Sequence, residues 1–230
     1  MSTNSDGMGW ADEDLPFWCR GKMAVWDLET TGLDPEKDRI TQIAIITISN
    51  LGEVEEEWSS YVNPGIPIPP EVTALTGISD ETVKDAPPFE ELWMEVMLRL
   101  SHDILIGYNA AAFDAPFLCA ELRRCGQEYL AISCLDPLII IRDIDRFVKG
   151  KGRHRLTETC LRHGVEVEQA HNALGDARMT WRLWERLAEG GHIPYAMGTH
   201  RQALEWQART AKAQNERFEA WLATQPKETP

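Results

Sequence analysis

Two carboxylates stand two residues apart in a segment that otherwise has the composition of a buried strand. Asp27 and Glu29 follow the apolar residues 23–26. On a strand, side chains at positions i and i+2 leave the same face, so these two carboxylates are close neighbours. Like charges that close repel unless a proton or a cation neutralises them, and hard divalent ions prefer oxygen ligands. The spacing indicates a metal site, although a solvated polar strand face explains this pair alone equally well.

A third carboxylate, Asp114, belongs to the segment N-A-A-A-F-D-A-P-F-L at residues 109–118. It follows an apolar run of strand length, and Pro116 suits the first turn of a helix. Asp114 is either a further ligand or a helix N-cap, a role that aspartate commonly fills. Taken alone, the cap explains the residue better, and Asn109 is equally well explained as an ordinary turn residue.

The segment H-N-A-L-G-D-A at residues 171–177 adds a histidine and a fourth acid. Inside one helix, five steps of about 100° would turn His171 and Asp176 about 140° apart. They converge only if His171 precedes the helix, with Asn172 as its cap and Asp176 one turn inside. A histidine in that place can accept a proton from water. The alternative is an exposed loop histidine and a first-turn acid stabilised by the helix dipole.

Strands and helices that position these residues are predicted from hydrophobic periodicity. Residues 23–29 and 40–48 are β-like and are separated by the turn T-G-L-D-P-E-K-D, and a third strand is expected around residues 57–62, which gives three antiparallel strands. Later strands alternate with helices, which favours parallel pairing and an α/β fold with a mixed sheet. Further strands are predicted at residues 103–108 and 131–135, and helices at residues 88–101, 113–125, 138–147, 156–163, 173–188 and 199–223.

Composition excludes several classes of protein. The chain has 230 residues, 43% of them hydrophobic and 26% charged, which is typical of a soluble globular protein. It contains no apolar run long enough to span a membrane, and its start lacks the pattern of a signal peptide, so a cytoplasmic location is expected. The five cysteines form no C-x-x-C pair. A net charge of -14 argues against affinity based on a basic surface, but is compatible with an acidic, metal-dependent nuclease site.

Three parts of the chain are predicted from these patterns: an N-terminal arm at residues 1–22, a main domain at residues 23–189 and a C-terminal helical extension at residues 190–230. The helix of the extension has a partial stripe of large apolar side chains that includes Trp206, Phe218 and Trp221. This stripe favours a helix that folds back onto the main domain or pairs with a second copy as a homodimer. Docking to a polymerase or another replication partner is the alternative.

Together, three segments resemble the motifs of the DEDDh (DnaQ-like) 3′-to-5′ exonuclease family, which includes the proofreading epsilon subunit of DNA polymerase III. They are V-W-D-L-E-T-T-G-L at residues 25–33, G-Y-N-A-A-A-F-D at 107–114 and H-N-A-L-G-D-A at 171–177. The resemblance covers roughly residues 23–188. It implies a ribonuclease H-like fold with helices flanking a mixed sheet, and 3′-to-5′ hydrolysis of phosphodiesters to nucleoside 5′-monophosphates.

The resemblance also implies roles for individual residues. His171 would be the general base, and two Mg²⁺ or Mn²⁺ ions would be bound by Asp27, Glu29, Asp114 and Asp176. The terminal nucleotide would be met by Thr30, Thr31, Gly32 and Leu33, with Leu33 against a base. Asn109 and Phe113 would line the substrate groove.

The natural substrate is left open between two nucleic acids. Single-stranded DNA 3′ ends are expected for a proofreading or repair enzyme, and RNA 3′ ends for an RNA-trimming enzyme of the same family. A non-catalytic scaffold is a third reading, which the intact set of acids and histidine argues against. Many relatives have histidine where this chain has Tyr108. The basic segment formed by K-G-K-G-R and the following H-R-L-T-E-T-C-L-R-H, residues 149–163, is either a contact for the upstream phosphate backbone or a solvated surface.

Overall fold

A four-stranded mixed sheet lies at the centre of the structure, a computed structural model that describes residues 21–128, 132–168, 172–193 and 199–224. Strand β1 (Met23–Thr30) pairs antiparallel with β2 (Ile40–Ile48), which pairs antiparallel with β3 (Val54–Tyr61). Strand β4 (Ile104–Ile106) pairs parallel with β1, giving the order β3-β2-β1-β4. The predicted mixed sheet with three antiparallel N-terminal strands is therefore confirmed.

Helices cover both faces of this sheet. They are α1 (Pro70–Thr76), α2 (Asp80–Val83), α3 (Phe89–Arg99), α4 (Asp114–Arg124), α5 (Pro137–Ile144), α6 (Leu156–Arg162), α7 (Ala173–Glu189) and α8 (His200–Ala223). One face of β1, with Trp26 and Leu28, packs against α3 and α4. The other, with Met23 and Val25, packs against α5, α6 and α7. No helix within the described ranges is long and apolar enough to cross a membrane.

The C-terminal helix α8 folds back onto the main domain. Ala203 is buried in the same core cluster as α5 and α7, and Leu204 and Trp206 pack against that cluster. Further along α8, Gln214 donates a hydrogen bond to the carbonyl oxygen of Ile139 at 2.7 Å. The predicted fold-back is confirmed for this half of the helix. The last part of the predicted stripe remains exposed at Phe218, Trp221 and Leu222.

Several predicted boundaries are corrected by the structure. The strand predicted at residues 103–108 pairs with β1 only over Ile104–Ile106, and the chain turns at Asn109, which takes a left-handed conformation with φ 60°. In the strand predicted at 131–135, Leu135 forms one isolated bridge with Ile106, and residue 131 lies outside the described residues. The short helices α1 and α2 were not predicted. Of the predicted N-terminal arm, residues 1–20 lie outside the described residues.

Candidate active site

Three carboxylates converge where β1 meets the start of α7. One carboxylate oxygen from each of Asp27, Glu29 and Asp176 lies within 4.8 Å of the other two. The period of two along β1 places Asp27 and Glu29 on one face, as the spacing predicts. Helix α7 lies across β1 and β2 on that face and brings Asp176 in its first turn.

Asp114 approaches the same strand from α4. Its side chain is only 3% exposed, and its Oδ1 accepts a hydrogen bond from the backbone N–H of Leu28 at 3.1 Å. The helix begins at Asp114 itself, and Phe113 occupies the cap position without a side-chain hydrogen bond. The alternative of Asp114 as an ordinary N-cap is therefore wrong. Its carboxylate is bonded to the strand between Asp27 and Glu29.

The start of α7 is fixed by two amide side chains. Asn172 caps the helix by accepting a hydrogen bond from the N–H of Gly175 at 3.3 Å, as predicted. Gln42, the cross-strand partner of Glu29, accepts the N–H of Ala173 at 3.1 Å. Gln42 thus ties β2 to the end of α7 that carries Asp176, a role that sequence analysis missed. Its signal was a glutamine within a strand that otherwise holds only apolar residues and two threonines.

Burial and mutual repulsion raise the pKa values of these carboxyl groups. Burial raises the pKa of Glu29 to about 8, with further contributions from the charges of Asp176 and Asp114. Burial raises the pKa of Asp27 well above its usual range, and Asp114, Asp176 and Glu29 add to the effect. The pKa of Asp114 rises to about 7, mainly through burial and against two backbone hydrogen bonds that lower it. Several acids share one small, poorly solvated volume, and no cationic side chain of the described residues lowers these pKa values.

This donor set fits a divalent metal site. All of its ligand atoms are carboxylate oxygens, which Mg²⁺ and Mn²⁺ prefer. A bound dication would offset the repulsion that raises the pKa values of Asp27 and Glu29. The observation that supports the fit is the convergence of the three carboxylates within 4.8 Å.

The turn after β1 is built around a half-buried acid rather than around the cluster. Asp38 accepts hydrogen bonds from the N–H of Asp34 at 2.8 Å and from the hydroxyl of Thr31 at 3.3 Å. A Cβ at Gly32 would lie 2.3 Å from Asp38 Oδ2, so any larger residue there would displace the Asp38 carboxylate. Thr30 is buried and donates to the carbonyl oxygen of Gly32 at 2.6 Å. Leu33, which follows Gly32 at the beginning of the turn and close to the end of β1, is 84% exposed.

A second buried network positions Asn109. Asp136 Oδ1 accepts the N–H of Asn109 at 2.8 Å and that of Leu138 at 2.9 Å. From α8, Gln207 accepts the N–H of Asp136 at 2.7 Å and donates to the carbonyl oxygen of Cys134 at 2.9 Å. Sequence analysis missed Asp136 and Gln207. The D-P pair at 136–137 was a detectable signal for an N-cap, whereas Gln207 left none.

The remaining predicted site residues are placed as follows. Phe113 is half-buried against Phe117, with ring centroids 5.0 Å apart, and directly precedes Asp114. His171 lies outside the described residues, directly before the cap residue Asn172. The structure thus brings together Asp27, Glu29, Asp114 and Asp176.

The fold and the acidic cluster define a nuclease-type α/β domain, and comparisons with known proteins give its family. The family described as "RNase_T: Exonuclease" matches residues 24–184. The DNA polymerase III subunit epsilon of Treponema pallidum is 33% identical over 162 residues, which are 70% of this chain and 73% of that subunit. The chain therefore belongs to the exonuclease family and contains a DnaQ-like exonuclease domain.

Other relatives are much longer proteins. The PolC-type DNA polymerase III of Oceanobacillus iheyensis is 33% identical over 170 residues, which are 72% of this chain and 12% of that polymerase. The 3′-5′ exonuclease DinG of Bacillus subtilis is 34% identical over 176 residues, covering 76% of this chain and 18% of DinG. The chain thus spans less than a fifth of these two relatives.

Solved structures support the same fold. Escherichia coli Exonuclease I in complex with a dT13 oligonucleotide superposes with a TM-score of 0.66 at 19% identity, over 74% of this chain and 41% of that one. The nuclease domain of 3′hExo, a DEDDh family member bound to rAMP, gives a TM-score of 0.62 at 19% identity, over 74% of this chain and 92% of that one. The expected ribonuclease H-like exonuclease fold is confirmed by these likenesses.

Proposed function

We propose that this protein removes nucleotides one at a time from the 3′ end of single-stranded DNA, releasing nucleoside 5′-monophosphates, in a proofreading or repair role. The observation that carries the proposal is the convergence of Asp27, Glu29 and Asp176, joined by Asp114 on the backbone of β1. Family membership supports the reaction class. The activity is assigned to residues 23–189, with residues 190–230 as an extension.

Each proposed residue has a defined task. Asp27, Glu29, Asp114 and Asp176 would hold two Mg²⁺ or Mn²⁺ ions. Bound ions of this kind lower the pKa of a coordinated water and stabilise charge on the scissile phosphate. His171 would accept the proton of the attacking water as general base. Because Asn172 caps α7, a residue directly before it is close in sequence to the helix end that carries Asp176.

Substrate positioning is assigned to the turn after β1 and to the segment before α4. Thr30, Thr31 and Gly32 would meet the terminal nucleotide, and the exposed Leu33 would lie against its base. Asn109 and Phe113 would line the groove on the other side. The rigid hydrogen-bonded turn supports this assignment, because a fixed backbone costs little reorganisation when a nucleotide binds.

DNA is favoured as the substrate by the names of the relatives. They include DNA polymerase III subunit epsilon and PolC-type DNA polymerase III, which also suggest association with a polymerase, and Exonuclease I in complex with dT13. An RNA 3′ end is the second candidate, supported by the likeness to 3′hExo bound to rAMP. A homodimer through α8 is also proposed, with the exposed Phe218 and Trp221 as its contact.

Product analysis tests the proposal directly. DNA and RNA oligonucleotides of matched sequence, labelled at either end, are incubated with the full chain in Mg²⁺ or Mn²⁺. We expect the 3′-labelled strand to release labelled mononucleotide at once, and the 5′-labelled strand to shorten stepwise. Asp27→Ala should abolish this activity, and His171→Ala should reduce it roughly 10²–10⁴-fold. Faster degradation of the RNA strand would favour the second candidate.

A matched control separates loss of the site from a general effect of charge. Asp85 is exposed, and within the described chain its side chain has no hydrogen bond or ion pair, so Asp85→Asn removes an acid without touching the site. We expect this variant to retain full activity. Metal-dependent cleavage that survives undiminished in both Asp27→Ala and His171→Ala would overturn the site assignment.

A further inference from the structure

The loop between α5 and α6, residues 145–155, concentrates positive charge in an acidic protein. We call it the basic loop. It contains five lysines and arginines and one acid, whereas the whole chain has a net charge of -14. Lys149 and Lys151 alternate with Gly150 and Gly152, whose φ angles of 118° and 79° shape a tight turn. Both lysines are exposed.

Most cations of this loop have no carboxylate partner, unlike cations elsewhere. Among the described residues, nearly all lysines and arginines outside it lie within 4.0 Å of a carboxylate oxygen. In the loop only Arg153 does, through Glu158 at 3.6 Å. In the described chain, the cations without a carboxylate oxygen within 4.0 Å are Arg146, Lys149, Lys151 and Arg155 inside the loop, and Arg142 and Arg209 outside it.

Acids at the border of the loop are occupied by cations from other elements. Asp143 is bonded to Arg217 of α8 at 2.8 Å. Asp145 is bonded to Arg162 at 2.7 Å and to His163 at 3.0 Å. The charges of the basic loop are therefore not neutralised by their own neighbours and are available to an external anion.

An exposed aromatic ring accompanies these charges. Phe147 is 82% exposed, and the guanidinium of Arg146 lies 4.9 Å from its ring centroid. Aromatic rings interleaved with unpaired cations are typical of surfaces that bind single-stranded nucleic acid, since bases stack on the ring and phosphates meet the cations. A solvated surface of charges has no need of an exposed phenylalanine.

Tyr108 connects the basic loop to the candidate active site. Its hydroxyl donates to the carbonyl oxygen of His154 at 2.7 Å and lies 2.9 Å from the hydroxyl of Thr159. The next residue, Asn109, is held by Asp136. His154 in turn closes the loop by donating from Nε2 to the carbonyl oxygen of Val148 at 3.2 Å. A tyrosine at position 108 therefore holds the loop beside the segment that leads to Asp114.

We propose that the basic loop binds the strand upstream of the 3′ end, with Lys149, Lys151, Arg146 and Arg155 on its phosphates and Phe147 under a base. This inference rests on the proposed function and adds to it a dependence on substrate length. On this proposal, we expect a strand of two or three nucleotides to end before the loop and a longer strand to reach it. The loop supplies the backbone contacts that the acidic remainder of the surface lacks.

The test compares substrates of roughly 3 and roughly 15 nucleotides, since single-stranded sites commonly span about 4–16 nucleotides. We measure kcat/KM for both with wild type and with Lys149→Gln/Lys151→Gln. We expect wild type to prefer the longer strand about tenfold or more, and the double variant to lose most of this preference through a higher KM. The slope of log KM against log salt concentration should also be shallower for the double variant than for wild type, by about 1.4 for two lost phosphate contacts.

Arg209→Gln is the matched control, because Arg209 also lacks a carboxylate partner in the described chain but lies on α8. It should keep the preference for the longer strand. Tyr108→Phe keeps every charge and removes the hydroxyl that anchors the loop, so it should reduce the preference severalfold. An unchanged length preference and salt slope in Lys149→Gln/Lys151→Gln would overturn the inference.

Binding of a phosphorothioate strand, which resists hydrolysis, separates this inference from the proposed function. If wild type degrades no oligonucleotide, the proposed function fails. The role of the loop is judged independently by the dissociation constant of that strand in Mg²⁺ at low salt. We expect it to rise about fivefold or more in Lys149→Gln/Lys151→Gln, and equal constants for wild type and variant would refute the loop contact.

Discussion

Asp27 and Glu29 are single residues whose positions lower the stability of the folded protein when they are charged. Both carboxylates lie beside Asp176, and burial raises their pKa values. In the absence of metal, the folded protein therefore favours their protonated forms. This is the arrangement expected of residues selected for binding cations rather than for stabilising the fold, because replacing one of them by a neutral side chain would relieve the repulsion.

The pH dependence of stability tests this reading of Glu29. Its pKa is about 8 in the folded protein against an ordinary value of 4.5, so between these values the folded state binds a proton that the unfolded state does not. The resulting contribution to stability is fully present below about pH 4.5 and is lost as the pH rises through 8. In EDTA, we expect the Tm of Glu29→Gln minus the Tm of wild type to be larger at about pH 8 than at about pH 6.

With Mg²⁺ present, the stability of wild type should no longer fall as the pH rises, because the metal binds the deprotonated carboxylates. The measurement is thermal unfolding of both proteins at each pH, with and without the ion. Taking the difference between variant and wild type cancels the histidines, such as His154 and His200, whose lowered pKa values act in the opposite direction. A difference that shrinks as the pH rises would contradict the assignment.

At the scale of elements, α8 is an integral part of the fold, although it lies beyond the matched residues 24–184. Gln207 is 9% exposed and bonds to backbone groups on both sides of Leu135. Through Asp136 this contact reaches Asn109 in the segment that leads to Asp114. The helix thus supports the candidate site from behind while its far end, with Phe218 and Trp221, remains exposed.

Gln207→Leu tests how strongly α8 is held. The leucine keeps the volume but leaves the N–H of Asp136 and the carbonyl oxygen of Cys134 buried without these partners. We expect a loss of about 2–4 kcal/mol in the free energy of unfolding, measured by urea denaturation. Asn215→Leu makes a similar change at an exposed position of the same helix and should change stability by less than about 0.5 kcal/mol. Equal effects of the two variants would show that the bridge contributes nothing.

Across the whole molecule, local patterns predicted the pieces and long-range contacts decided how they meet. The alternation along β1 predicted that Asp27 and Glu29 share a face, and the helical geometry of residues 171–177 predicted Asn172 as a cap. The bond from Asp114 to β1 joins residues 86 positions apart, so Asp114 alone favoured the wrong reading as a cap. Gln42 and Gln207 act across strands and helices, and although a glutamine in β2 stands out locally, nothing local marks the groups that either side chain bonds.

The net charge of -14 leads to the last prediction, which concerns binding by the whole protein. Outside the basic loop, most cations are neutralised by ion pairs, so attraction of a nucleic acid end to the acidic cluster requires divalent ions. We expect a phosphorothioate oligonucleotide to bind at least about tenfold more weakly in EDTA than in Mg²⁺, as measured by fluorescence anisotropy. NaCl of matched ionic strength, which screens charges without bridging carboxylates and phosphates, should not replace Mg²⁺. Nanomolar binding in EDTA would refute this account, because it would require a basic surface larger than the basic loop, and the described chain provides no such surface.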